Sequence, residues 1–267
     1  MNKIENALYE LGRMDALAAG DSPVHRMHPL AKLPVTAAFI LVTVSFHKYD
    51  LTGMAVMVLF PVIVFQLSGI PVRTCFYKLR IVLPLVMVVG ILNPFFDRTV
   101  VLRAGRVVLT GGVLSMLTLM LKGVLCLMAS FLLVSTTSID ALCAALRKLH
   151  VPSMLVTLLL LTFRYVGLMM EEVAVMTDAY RLRAPGQKGI HYRAWGSFLG
   201  QLLLRSMDRA RELYSGMQLR GFRGEFFYAD TAPFGAADGA WLLGWTAVFL
   251  VFRCVPVAQL LGSLVVR

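Results

Sequence analysis

The sequence predicts an all-α integral membrane protein, and three observations carry that prediction. Apolar residues make up 58% of the chain and charged residues only 15%, against about 25% charged in soluble domains. Several uncharged runs approach the roughly 18 residues that cross a bilayer as a helix. The charged residues concentrate in one stretch of the C-terminal half instead of alternating with the apolar ones. The fold expected is about five transmembrane helices with an attached module of two long crossed amphipathic helices and one short helix.

Taken in order, Met1 to Leu30 contains Glu5, Glu10, Asp15 and Asp21 and no apolar core region, so it is not read as a cleavable signal. Leu33 to Phe46 is the first apolar run and Leu51 to Ser68 the second, joined by the tight Lys48-Tyr49-Asp50 link. Ile70-Pro71 breaks the pattern, and a short basic stretch follows (Arg73, Lys78, Arg80). The third run, Ile81 to Phe96, contains Pro84, Gly90 and Asn93-Pro94, which membrane helices tolerate when neighbours satisfy the freed carbonyls. Asp97 to Thr110 alternates Val and Leu among arginines and ends on Gly111-Gly112, the pattern of a small hairpin. Val113 to Val134 is the fourth run.

After Ser135-Thr136-Thr137-Ser138 the texture changes. Ile139, Leu142, Ala145, Leu146 and Leu149 mark one face of a short helix. His150-Val151-Pro152-Ser153 ends it and opens another, apolar over Met154 to Thr162 and charged from Arg164 to Arg183. Ala184-Pro185-Gly186 stops that helix, and the next runs from Trp195 to Arg220. Its Leu199, Leu203, Ser206, Ala210, Leu213 and Met217 form one stripe, opposite Arg205, Asp208, Arg209 and Glu212. The small Ser206 and Ala210 would let a second helix cross closely, and Val166, Met169, Met170, Val173 and Met176 offer a matching face. The last apolar run, Trp241 to Phe252, continues toward Leu264. The domain boundaries expected are 1–32, 33–135 (four spans), 136–232 (the polar helical module) and 233–267 (last span and tail).

Basic residues decide the topology. With five spans and an inside N-terminus, 19 of the 26 Lys and Arg lie inside, 6 outside, and Lys122 lies in a span. If Met154 to Met170 also crosses, 13 lie inside and 11 outside, with Lys122 and Arg164 in spans. The positive-inside tendency favours the first, with the three arginines of the Asp97–Thr110 loop as its exception. The same tendency accounts for the net charge of +11 without any nucleic-acid partner.

Two helix ends stand out: Ala179-Tyr180-Arg181-Leu182-Arg183-Ala184 and Met217-Gln218-Leu219-Arg220-Gly221-Phe222. A cation at a helix C-terminus complements the partial negative charge there, and that alone explains one such end. Arginine also pairs bidentately with carboxylates at interfaces, and a small residue after it admits a partner's backbone. Both readings fit two related tips on adjacent helices: complement to the helix ends, or docking to an acidic groove.

Other constellations are weaker. His25 and His28 stand three apart between Pro23 and Pro29, and two ligands do not complete a metal site. Lys122 is a charge in a span, functional by default, snorkelling or paired with a partner subunit. Arg164 would anchor its helix at headgroup level. Glu171-Glu172 is solvated or paired with a nearby arginine. Cys75, Cys126, Cys143 and Cys254 are scattered without a CxxC pair. No HExxH, Walker or GxSxG motif occurs, so neither catalysis nor a cofactor is expected. A self-contained channel would place polar residues along several spans, where only Gln66, Asn93 and Lys122 occur.

The chain resembles the transmembrane (T) component of energy-coupling-factor transporters, most closely the cobalt/nickel type. The resemblance runs nearly end to end through Asp21-Ser22-Pro23-Val24-His25-Arg26-Met27-His28-Pro29-Leu30-Ala31-Lys32, Leu92-Asn93-Pro94-Phe95-Phe96-Asp97-Arg98, and Ser197 to Ser206 leading into Gln218-Leu219-Arg220-Gly221-Phe222. The family's two signature motifs read approximately Ala-Arg-Gly. Arg183 and Arg220 take the arginine positions, Leu182 and Leu219 replace the alanines, and Ala184 replaces the first glycine. The first motif is therefore degenerate, with Arg181 a competitor for the contact. The N-terminal motif has His28 where Asp is usual.

The resemblance implies ATPase-coupling tips at Arg183, Ala184, Arg220 and Gly221, docked into two cytoplasmic ABC-type ATPases. It also implies a separate membrane substrate-binding (S) subunit, a prokaryotic plasma membrane, and a cytoplasmic N-terminus and coupling helices. The chain itself would bind no ATP. The function expected is energy coupling in an importer of cobalt or nickel ions, the alternative being a shared component serving vitamin-type S subunits.

Overall fold

The computed structural model describes residues 12, 16–48, 50–96, 100–104, 107–187, 189–224, 226 and 234–254. Most of Met1 to Asp15, and everything after Cys254, lie outside the described residues, as does Lys188. The chain divides into two compact units. One comprises Leu17–Ser138 with Ala232–Arg267, the other Met1–Ala16 with Ile139–Thr231.

The first unit is a bundle of apolar helices. A short helix α1 (Pro23–Arg26) is capped by Ser22, and α2 (Pro29–Ser45) is capped by the His28 ring. The second apolar run is not one helix but two, α3 (Leu51–Met57) and α4 (Leu59–Ser68). Pro61 explains the break, because it removes the amide that would bond the Met57 carbonyl and its ring crowds that carbonyl. The third run is longer than its apolar core: α5 spans Val72–Phe96 and absorbs Arg73, Lys78 and Arg80 into its first turns.

The alternating segment after α5 forms the expected hairpin, β1 (Val100–Ala104) antiparallel to β2 (Val107–Thr110). Helix α6 (Gly111–Thr136) follows directly. At 26 residues it is about 39 Å long, longer than the roughly 30 Å hydrocarbon layer. The last described helix, α10 (Ala236–Cys254), packs on α2 and α3.

The bundle core is aromatic. The rings of Phe39 (α2) and Phe60 (α4) lie 4.7 Å apart, Phe60 and Phe249 (α10) 5.1 Å, and Phe60 and Trp245 4.8 Å edge-on. Helices α5 and α6 approach closely at glycines. A Cβ on Gly123 would meet Val86 at 3.1 Å, and one on Gly90 would meet Met116 at 3.2 Å. Without a hydrophobic drive in lipid, such small-residue contacts supply the attraction between helices.

Two lysines fasten α2 to the antiparallel α6. Lys32, which precedes the first apolar run, donates to the Thr136 carbonyl at 2.8 Å and to Thr137 Oγ1 at 3.3 Å. Lys122 donates to the Val44 carbonyl at 3.0 Å and to the Phe46 carbonyl. Each lysine thus satisfies carbonyls at the C-terminal end of the other helix, where no intrahelical donor remains. Arg253 adds a bond to the Ser45 carbonyl at 3.3 Å and lies over the Phe46 ring. The charge in the fourth span is therefore paired within this chain, with backbone.

The second unit contains α7 (Ile139–Lys148), α8 (Ser153–Arg183), a 3-10 turn at Tyr192–Ala194 and α9 (Trp195–Leu219). His150 adopts φ +63°, and its amide and that of Val151 return to Arg147 and Leu146. This left-handed closure turns the chain into α8. Among the described residues, α6 and α8 are the helices long and apolar enough to cross a membrane.

The α5–α6 contact makes a testable prediction. Gly123→Val should destabilise the protein in detergent by about 1–3 kcal/mol through overpacking. Gly244→Ala, whose added methyl meets open space, should leave the unfolding midpoint unchanged or raised.

Candidate functional site

Helices α8 and α9 carry the two arginine tips, and their lengths follow from composition. α8 holds 31 residues without an internal proline or a glycine pair, and α9 holds 25, about 46 and 38 Å respectively at 1.5 Å per residue. They meet through Arg205 of α9, which forms an ion pair with Glu172 of α8. A half-exposed pair of this kind is worth about 1 kcal/mol or less, so it sets register more than stability. Beside it a groove of about 500 Å³ is lined by Val175, Met176, Ala179 and Arg183 on α8 and by Phe198 and Gln201 on α9, among others.

The ion pair uses Arg205, on the side of α9 that the hydrophobic pattern marks as polar, because Glu172 needs a cation. Of the apolar stripe, Leu199, Leu203 and Ala210 are exposed, whereas Ser206, Leu213 and Met217 are half-buried.

The two tips are built differently. In α9, Arg220 caps the helix and Gly221 takes φ +80°. The Gly221 amide bonds the Gln218 carbonyl at 2.9 Å, and the Phe222 amide bonds the Met217 carbonyl at 3.0 Å, the two bonds of a Schellman closure. Gly221 is therefore required by backbone conformation, whatever docks beside it. In α8, Ala184 takes φ −127°, and the positive angle falls two residues later at Gly186. Alanine is accommodated at 184 because no left-handed residue is needed there, which accounts for the departure from Ala-Arg-Gly.

Arg181, Arg183 and Arg220 are all exposed. Arg181 pairs with Asp178 at 3.6 Å on its own helix. Among the described residues, neither Arg183 nor Arg220 has an ion-pair partner. Leu182 and Leu219 beside them are 85% and 90% exposed, so each tip presents an apolar side chain together with a cation. Tyr180 steadies the first tip: its hydroxyl donates to Gln187 Oε1 at 2.9 Å and accepts from the His191 amide at 3.2 Å. The tyrosine stands next to the motif, but only the folded loop reveals its partners.

The histidines are engaged structurally. His25 Nε2 faces the carbonyls of Leu17 at 3.0 Å and Ser135 at 3.3 Å, so it carries the proton. Nδ1 then accepts from the Ser22 hydroxyl at 2.7 Å. His28 Nδ1 accepts from the Leu30 amide at 3.1 Å. Nearby, the Arg26 guanidinium holds the Asp21 carboxyl below its usual range, and Asp21 in turn raises Arg26. Burial pushes the Lys32 ammonium down to about 8, against an upward pull from Asp238.

An apolar helical bundle joined in sequence to a unit of two long helices with exposed cationic tips defines the class as an α-helical membrane protein. The chain belongs to the CbiQ family of cobalt transport proteins, whose model matches residues 20–228. It is 36% identical over 102 residues to the cobalt transport protein CbiQ of Rhodobacter capsulatus, covering 38% of this chain and 42% of that one. It is 33% identical over 91 residues to the nickel permease LarQ of Lactiplantibacillus plantarum, covering 34% and 33%. With the energy-coupling factor transporter transmembrane protein EcfT of Thermosediminibacter oceani the identity is 27% over 219 residues, covering 77% and 82%. The matched stretches thus span less than half of the first two relatives and most of the third.

The closure of α9 gives a direct test. Gly221→Ala should strain the left-handed turn by about 1 kcal/mol, seen as faster hydrogen exchange at the Phe222 amide. Ala184→Gly should leave exchange at the α8 end unchanged, because position 184 has negative φ.

Proposed function

We propose that the protein is the membrane energy-coupling subunit of an energy-coupling-factor importer for cobalt or nickel ions. It passes the energy of ATP hydrolysis by two cytoplasmic ABC-type ATPase subunits to a separate membrane substrate-binding subunit. The observation that carries this reading is the pair of exposed tips, Leu182-Arg183-Ala184 and Leu219-Arg220-Gly221, each ending a long helix of the second unit. A bidentate cation beside an exposed leucine suits a groove with an acidic wall and an apolar floor. The tip at Arg183 uses Arg181 as an auxiliary cation. The names of the relatives support cobalt or nickel as cargo and energy coupling as the task.

In this reading residues 1–32 and the 136–232 module face the cytoplasm and five helices span the bilayer, with 33–135 supplying four and 233–267 the last. The distribution of Lys and Arg supports that arrangement, and the separation of Ile139–Thr231 as its own unit is consistent with a distinct module. The first half of α8, apolar and exposed, then lies against other apolar surface without crossing. The chain performs no catalysis.

Two experiments decide these points. Arg183→Glu combined with Arg220→Glu should abolish co-purification with the ATPases and ATP-dependent uptake, and unchanged assembly and uptake would sink the docking idea. Cysteines placed at Ser153 and Ser215 should both label from the cytoplasmic side. Labelling on opposite sides would mean that α8 crosses the membrane.

A further inference from the structure

The exposed surface of α5 is sorted along its length into cations and hydrocarbon. Arg73, Phe76, Tyr77 and Arg80 are all exposed, and steps of three and four residues set them on one helical face. Cys75 and Leu79, on the opposite face, are buried in the core of the bundle. The exposed face continues in the same register through Met87, Val88 and Ile91, which are 46%, 62% and 46% exposed. Its two parts therefore differ in chemistry. Cations and aromatic rings precede the apolar run that opens at Ile81, and bare apolar side chains lie within it. Among the described residues, neither Arg73 nor Arg80 has a hydrogen-bond or ion-pair partner. The sequence from Leu51 to Phe96 contains no Asp or Glu that could supply one.

We propose that this face of α5 is a binding site for an anionic phospholipid, with Arg73 and Arg80 on the headgroup phosphate and the stretch from Met87 to Ile91 along an acyl chain. The proposal requires only that the bundle sits in a bilayer and does not depend on the coupling reading. The guanidinium fork suits phosphate, which it takes through paired hydrogen bonds. Phe76 and Tyr77 stand between the two arginines, and aromatic rings settle at headgroup level in membrane proteins. Arg80 and Ile91 lie about 16 Å apart along the helix axis. That is about half of the roughly 30 Å hydrocarbon layer, so the apolar part of the face has the length of one leaflet's acyl chains. The general excess of basic residues on one side of a membrane explains arginines near α5. It does not explain two of them on one face, in line with an apolar stretch of that length. A free phosphate would use the arginines and leave the rest of the face without a role.

The probe is phosphatidylglycerol. The full chain, with the photo-crosslinking residue p-benzoylphenylalanine in place of Val88, is placed in nanodiscs of phosphatidylcholine with phosphatidylglycerol as the minor lipid. After irradiation the lipid adducts are identified by mass. Phosphatidylglycerol should be enriched among the adducts about tenfold over its share of the bilayer, the scale of arginines beside an anionic headgroup. Arg73→Gln combined with Arg80→Gln should return the adducts to the bulk composition. Lys148→Gln combined with Arg193→Gln, which removes the same charge from the other unit, should leave the enrichment intact. Adducts at the bulk composition in the otherwise unaltered chain overturn the proposal. So does an equal loss of enrichment in both double variants, the mark of general charge attraction. Enrichment abolished by excess soluble glycerol phosphate would mean a free-phosphate site, and overturns the lipid. A crosslink from position 88 to a protein in the complete transporter complex, replacing the lipid adduct, would show that a subunit covers the face and also overturns it. If the arginine double variant does not fold, Arg80→Gln alone decides: a lowered enrichment supports the site and an unchanged one sinks it. Uptake and ATP hydrolysis are not read, so failure here leaves the coupling reading standing.

Discussion

A helix leaves its last carbonyls without an intrahelical donor, and burying one unpaired costs free energy comparable to a lost hydrogen bond. Helices α2 and α6 meet this constraint with each other's lysines. Lys32 serves the end of α6, and Lys122 serves the end of α2. Because the helices run antiparallel, one geometry satisfies both ends and fixes how far one slides along the other. A shift by one turn would move each ammonium about 5 Å from its carbonyls. The remaining bundle is arranged on that pair: α10 packs on α2, α5 on α6, and the Phe39–Phe60–Phe249 cluster fills the space between α2, α4 and α10.

The second unit obeys a looser rule. Its helices meet through one partly exposed ion pair and a polar-edged groove, and large apolar side chains stay uncovered along α9. Within the bundle unit, by contrast, buried polar contacts of Lys32, His25 and Asp238 gather around the start of α2.

Much of this was legible in the residues. Most helices follow the apolar runs that announce them, although α5 begins at Val72, well ahead of the run that starts at Ile81, and the hairpin after α5 follows from alternating Val and Leu. Pro61 was visible in the sequence, yet the run Leu51–Ser68 read as continuous, because membrane helices often tolerate proline and composition does not report which carbonyl loses its donor. The α9 stripe identified residues able to pack, of which Ser206, Leu213 and Met217 are half-buried, but it carried no sign that Glu172 would take Arg205. Lys122 read as an unexplained charge because its acceptors are backbone carbonyls 76 and 78 residues away in sequence.

The sequence by itself determined the class, since composition, run length and the placement of basic residues depend only on local chemistry. It also placed an arginine at the end of two long helices. Only the tertiary structure decided what those residues do to one another: that Gly221 closes a helix while Ala184 need not, that Tyr180 braces the first tip, and that Lys32 and His28 reach residues more than a hundred positions away. Those outcomes require contacts between residues distant in sequence, or backbone angles set by the surrounding turn. No periodicity or composition within a single segment encodes either.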